Sequence, residues 1–183
     1  GTAAYQKENY EAALQSLEEV IEINENKGEE AEAAVYFRAG MAAYKLGDNT
    51  LASKYLEKAE FLEYPSPELY TTLAAIYKAI DNLSKEIIAL EDYHDKYPGG
   101  EKINAMNKRL FETYVESENW QKGSDLWTEL DENAQSEMDM MEGYLVINKN
   151  LENNTIADKL AARIRGKEPN NIEALEWYAE KYY

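Results

Sequence analysis

The chain has 183 residues with 36 acidic and 19 basic side chains, so its formal net charge is −17. This charge disfavours nucleic acid and anionic membrane surfaces as partners, because contacts to phosphate need clustered lysine and arginine. It favours basic partner segments, or it serves only to keep a helical surface solvated. The chain has no cysteine, which excludes disulfides, thiol catalysis and thiolate metal sites.

No apolar run approaches the roughly 20 residues that a membrane-spanning helix needs. The sequence leaves the compartment open between the cytoplasm and, if a leader was removed, the periplasm or cell envelope.

A repeated pattern runs along the chain. Its equal places are separated by 34, 37 and 34 residues and are occupied by Ala52, Glu86, Gly123 and Ala157. A period near 34 with helical patterning predicts two-helix units that stack into an all-α solenoid.

Residues 33–65 form the clearest unit. Its first helix presents a narrow face with small side chains in the middle: Tyr36, Ala39, Gly40 and Ala43. Gly47 can adopt the left-handed conformation that ends a helix, and Asp48 or Asn49 can cap the next one. The second helix presents Ala52, Leu56 and Ala59, after which Pro67 can open the next unit.

The pattern predicts one continuous array over residues 1–183 without a domain boundary. It begins with a partial repeat at 1–32 and continues with repeats at about 33–66, 67–100, 101–134 and 135–170. Extra residues around Asn24 to Glu30 either lengthen a helix or form a short loop. Residues 171–183 are predicted to be a first helix whose partner is absent or lies beyond the end.

These faces resemble the tetratricopeptide repeat family. In the first full copy the matching residues are Tyr36, Ala39, Gly40, Gly47, Ala52, Leu56 and Ala59, and in the second they are Tyr70, Leu73, Ala74, Tyr77 and Pro98. Trp120 and Trp127 take aromatic places in the third copy, and Ala157 and Pro169 anchor the fourth. Glu86 and Gly123 depart from the usual alanine, and Asn148 departs from the usual aromatic residue.

The resemblance covers almost the whole chain. It implies right-handed superhelical stacking of antiparallel helix pairs around a concave groove. In this family the groove is lined by the first helices and commonly binds an extended peptide or a partner's helix.

Helical phase indicates which residues line that groove: Phe37, Met41, Tyr44, Lys45, Thr71, Lys78, Lys108 and Glu112. The stripe of Phe37, Met41 and Tyr44 is either an apolar shelf for a ligand side chain or a face that packs on a neighbouring repeat. Some family members bind a partner's terminal carboxylate with groove lysine, asparagine and arginine. Here Arg38, Lys45, Lys78 and Lys108 could supply a weaker version, without matching asparagines.

The C-terminal segment is unusually aromatic for the end of a repeat array, which is normally polar. Its candidate docking residues are Leu175, Tyr178, Tyr182 and Tyr183. They would dock a second copy of the chain or a further domain, unless the natural chain continues past Tyr183.

Most tyrosines fall on predicted packing faces, and the exposed candidates are Tyr44, Tyr93 and Tyr97. His94, the single histidine, is predicted to be solvated at a helix end. Zinc needs several nitrogen or sulfur ligands and a catalytic triad needs a histidine beside a nucleophile. The sequence therefore predicts no metal, no cofactor and no enzymatic activity.

These observations favour a non-catalytic scaffold that binds a protein or peptide in the concave groove. One alternative is a structural component, self-associating or assembling the cell envelope through its uncapped ends. A further alternative is a glycan-binding module.

Overall fold

The computed structural model describes residues 2–183, with side chains from Lys7 onward. The described residues form helices and connecting turns without a β-strand, which confirms the all-α prediction. In chain order the helices are α1 (Thr2–Asn26), α2 (Ala33–Leu46), α3 (Asn49–Phe61), α4 (Pro67–Ala79), α5 (Leu83–Lys96), α6 (Ile103–Glu116), α7 (Trp120–Trp127), α8 (Met138–Asn150), α9 (Asn154–Lys167) and α10 (Ile172–Tyr182). A 3-10 turn at Ala134–Ser136 precedes α8.

Each of the four predicted full repeats contains one helix pair, and α10 follows them as a first helix. The first helices of the repeats are α2, α4, α6, α8 and α10, and the second helices are α1, α3, α5, α7 and α9. The extra residues near Asn24 are divided between the two expected structures. They extend α1 to Asn26 and then form a turn in which Gly28 has a φ of 73°.

The structure divides into two compact units, Gly1–Ala89 and Leu90–Tyr183, with the division inside α5. The N-terminal unit contains α1 to α4 and the first half of α5. The C-terminal unit contains the rest. The single continuous array stays a prediction.

The helix ends follow the predicted turn chemistry. Gly47 has a φ of 84°, and its N–H donates to the carbonyl oxygen of Tyr44 at 3.0 Å. The Asp48 carboxylate then accepts a hydrogen bond from the N–H of Leu51 at 2.9 Å, so Asp48 caps α3. Pro67 lies in the first turn of α4, where its missing N–H removes no helical hydrogen bond.

Small residues allow neighbouring helices to approach closely. A Cβ atom added at Gly40 in α2 would lie 2.6 Å from Leu56 Cγ and 3.1 Å from Leu56 N in α3. In the C-terminal unit, a Cβ atom added at Gly123 would lie 2.6 Å from Ile147 Cδ1. Gly123 therefore replaces the usual alanine because the buried Ile147 side chain occupies the space that a methyl group would need.

A hydrogen-bonded group of three side chains joins helices of successive repeats. In the N-terminal unit, the Tyr77 hydroxyl donates to Glu57 Oε1 at 2.6 Å, and Lys85 Nζ donates to the same oxygen at 2.7 Å. We call this arrangement the Tyr–Glu–Lys triad. Its tyrosine lies on a first helix, its glutamate on the preceding second helix and its lysine on the following one.

The C-terminal unit contains the same triad one repeat later. The Tyr114 hydroxyl donates to Glu91 Oε1 at 2.7 Å, and Lys122 Nζ donates to that oxygen at 2.6 Å. The tyrosine–glutamate hydrogen bonds are part-buried and link two helices, whereas the lysines are about half exposed, so their ion pairs add little.

Two repeats depart from the triad in different ways. In α2 the tyrosine place is taken by Ala43, and Tyr55 of α3 instead donates to Glu18 at 2.9 Å. In α8 that place is taken by Asn148, whose Nδ2 donates to the Tyr144 carbonyl at 2.8 Å. Among the described residues, the buried Asn148 Oδ1 has no hydrogen-bond partner.

We expect Gly40→Ala to destabilise the protein by about 1–3 kcal/mol, because the new methyl group meets both the side chain and the backbone of Leu56. Gly166→Ala is the matched control, since nothing lies within 4 Å of a Cβ at that helical position. It should stabilise α9 by about 0.5–1 kcal/mol through helix propensity. Urea unfolding followed by circular dichroism measures both changes. Equal effects of the two substitutions would contradict the close-approach interpretation.

The triads predict a loss of stability at alkaline pH. Burial, followed by the hydrogen bond to glutamate, raises the pKa of Tyr77 and of Tyr114 far above the ordinary value of 10.0. For the same reasons the pKa of Tyr55 rises to about 12. The fold therefore favours the neutral phenol. This contribution is complete below the ordinary pKa and is lost as the pH rises toward the folded-state pKa.

A Tyr77→Phe/Tyr114→Phe variant should be less stable than the parent at neutral pH but should lose less stability between about pH 9 and about pH 11. Urea midpoints across this range measure the difference. Tyr183→Phe is the control, because the Tyr183 side chain is fully exposed. Parallel pH profiles for the parent and the double variant would show that the two phenols are not the titrating groups.

Candidate functional site

The predicted groove stripe of the N-terminal unit lies on α2. Phe37, Met41 and Tyr44 are all half-buried, so each presents part of its apolar surface to solvent. The Phe37 ring stacks on Tyr64, with centroids 4.5 Å apart and ring planes inclined by 25°. Phe37 thus also packs on the connection between α3 and α4, which leaves Met41 and Tyr44 as the more available part of the stripe.

Cations accompany this stripe. Arg38 and Lys45 on α2 and Lys78 on α4 are exposed, and none of the three forms an ion pair with another residue that the structure describes. Lys45 Nζ lies 6.0 Å from the centroid of the Tyr44 ring, within reach of a cation–π contact. The α2 helix therefore presents the exposed Lys45 next to Tyr44, and Arg38 and Lys78 are further exposed cations on the first helices of this unit.

The first helices of the C-terminal unit differ, because their cations are paired. Lys108 pairs with Glu137 and approaches Asp139 at 3.9 Å. Its hydrogen bond to Glu137 raises the pKa of the Lys108 ammonium. Arg109 pairs with Glu112 at 3.1 Å and Glu116 at 2.8 Å. Two of the predicted groove residues, Lys108 and Glu112, are thus engaged within their own unit.

Lys149 and Lys181 complete this pattern. Lys149 pairs with Glu180 at 3.2 Å, and Lys181 pairs with Asp158 at 2.6 Å. The remaining predicted residue, Thr71, lies on α4, and its hydroxyl donates to the Glu68 carbonyl of the same helix at 3.2 Å.

The second helices border three clefts that the sequence interpretation missed. Each lies beside a tyrosine–glutamate hydrogen bond, and their volumes are about 430 Å³ at Glu18, about 250 Å³ at Glu57 and about 320 Å³ at Glu91. These glutamates recur five residues after Ala13, Ala52 and Glu86, which is a signal that could have revealed them. Burial raises the pKa of Glu57, but the hydrogen bonds from Lys85 and Tyr77 outweigh it and lower the pKa. The three cleft glutamates therefore already accept hydrogen bonds from tyrosines of the same protein.

Two predictions about exposure are wrong. His94 is half-buried rather than fully solvated, since its Nδ1 lies 2.8 Å from Asn107 Oδ1 and its Nε2 lies 3.4 Å from Glu129 Oε2. Both ring nitrogens thus face partners within the C-terminal unit. Tyr93 is buried rather than exposed, and its hydroxyl accepts a hydrogen bond from the N–H of Lys102 at 3.2 Å.

The predicted docking residues at the C-terminal end are unequally exposed. Leu175 and Tyr182 are 41% and 73% exposed, and Tyr183 is fully exposed. Tyr178 is half-buried, with the Arg165 guanidinium 5.2 Å from its ring centroid. The opposite side of α10 is anchored by the buried Trp177, whose indole N–H donates to Asp158 at 2.9 Å.

Within residues 2–183, as far as the structure describes them, no cluster of three or more histidine, aspartate or glutamate side chains is arranged to hold a metal ion. Over the same residues, no helix combines the length and the apolar character that a bilayer crossing requires.

Comparison with known proteins identifies the repeat. Residues 1–27 and 33–60 match the family model of the tetratricopeptide repeat. No curated protein matches the sequence significantly.

Several solved structures share the fold. MamA AMB-1 is 18% identical with a TM-score of 0.62, and the match covers 82% of this chain and 80% of that one. YrrB is 16% identical with a TM-score of 0.62, covering 95% and 84%. The TPR-like repeats of a Podosopora anserina kinesin light chain are 18% identical with a TM-score of 0.53, covering 90% of each chain.

At these identities the structures show a common fold. Residues 1–27 and 33–60 are thus similar to the tetratricopeptide repeat, and the solved structures share a helix-pair fold over most of the chain.

Proposed function

We propose that this chain is a non-catalytic interaction scaffold that binds a peptide or protein segment on the first helices of its N-terminal unit. The carrying observation is the combination of a half-buried apolar stripe with unpaired cations on α2 and α4. A partner segment with apolar side chains next to carboxylates matches this surface. Binding of this kind uses preformed helices and needs no covalent chemistry.

The distribution of charge supports this choice of surface. On a chain with a net charge of −17, lysines and arginines readily find acidic neighbours. The cations of α6, α8 and α10 do so, whereas Arg38, Lys45 and Lys78 do not. An unpaired cation costs little to bring to an anionic partner, because no existing ion pair has to break.

The comparison with YrrB supports the mode of binding. YrrB is described as a tetratricopeptide repeat protein with an unusual peptide-binding site, and its fold matches 95% of this chain. In the present chain the equivalent function would use Met41 and Tyr44 for apolar contact and Lys45 and Lys78 for anionic groups. Phe37 would extend this apolar surface while its ring stacks on Tyr64.

We expect Lys45→Glu/Lys78→Glu to lower the recovery of bound partners from native lysate by at least about fivefold, because charge reversal repels carboxylates. Affinity capture with quantitative mass spectrometry measures the recovery. Lys27→Glu/Lys159→Glu makes the same change in net charge at exposed lysines outside the first helices and is the matched control. Equal recovery by the two variants would remove the charged part of the proposal.

The apolar part has a separate test. Met41→Ala/Tyr44→Ala should reduce recovery of the same partners by at least about fivefold, since apolar anchors in a groove carry much of the binding energy. Phe37→Ala/Tyr44→Ala tests the whole stripe but also removes the Phe37–Tyr64 stack, so its circular dichroism spectrum and melting temperature are needed beside the recovery. Unchanged recovery by both variants would exclude this surface.

A further inference from the structure

We draw no further inference here: the strongest candidate, the cleft of about 320 Å³ between α5, α6 and α7 that Asp95, Asp125 and Glu129 line, is a cluster of acidic side chains, and nothing else among the described residues shows what would occupy it.

Discussion

The distance between helices is the constraint on which the rest of this structure depends. In α2 and α7, a glycine removes the methyl group that would collide with the neighbouring helix, and the large side chain opposite, Leu56 or Ile147, fills the space. Close packing of this kind tolerates little change in volume. Because the helix backbones lie at this fixed separation, side chains at equal places of successive repeats contact the neighbouring helix at equal positions along its axis. The regular spacing in the sequence is therefore a consequence of packing geometry.

The Tyr–Glu–Lys triads show what that regularity permits. A tyrosine can bury its ring between helices only if its hydroxyl finds a partner, and Glu57 and Glu91 provide one at equal places. The lysine neutralises the carboxylate, which makes the partially buried charge tolerable. Where Asn148 replaces the tyrosine, one amide oxygen is left buried without a partner among the described residues. Tyr77 and Tyr114 thus have a structural role, which Asn148 does not take over at the same place.

Local chemistry made much of the fold predictable from the sequence. The all-α class, the helix pairs, the left-handed Gly47, the cap at Asp48 and the buried Tyr36, Tyr70, Tyr77 and Tyr114 all follow from spacing within one repeat. The errors concern partners that lie outside that spacing. His94 meets Asn107 and Glu129, and Lys108 meets Glu137, 29 residues away. Helical periodicity predicts the direction in which a side chain points, but it does not predict which side chain of another helix or turn will contact it. The groove residues on α2 and α4 therefore stay a prediction, while Lys108 and Glu112 are engaged.

The first helices of the two units differ in whether their lysines and arginines form ion pairs with acidic side chains. Ion pairs occupy the lysines and arginines on the first helices of the C-terminal unit, and they leave those of the N-terminal unit open. The net charge of −17 repels other copies of the chain at long range, whereas the exposed cations of α2 and α4 would attract an anionic partner segment at short range. The proposed binding to these cations would consequently weaken as salt is added, because screening reduces the attraction between the exposed cations and a partner's carboxylates.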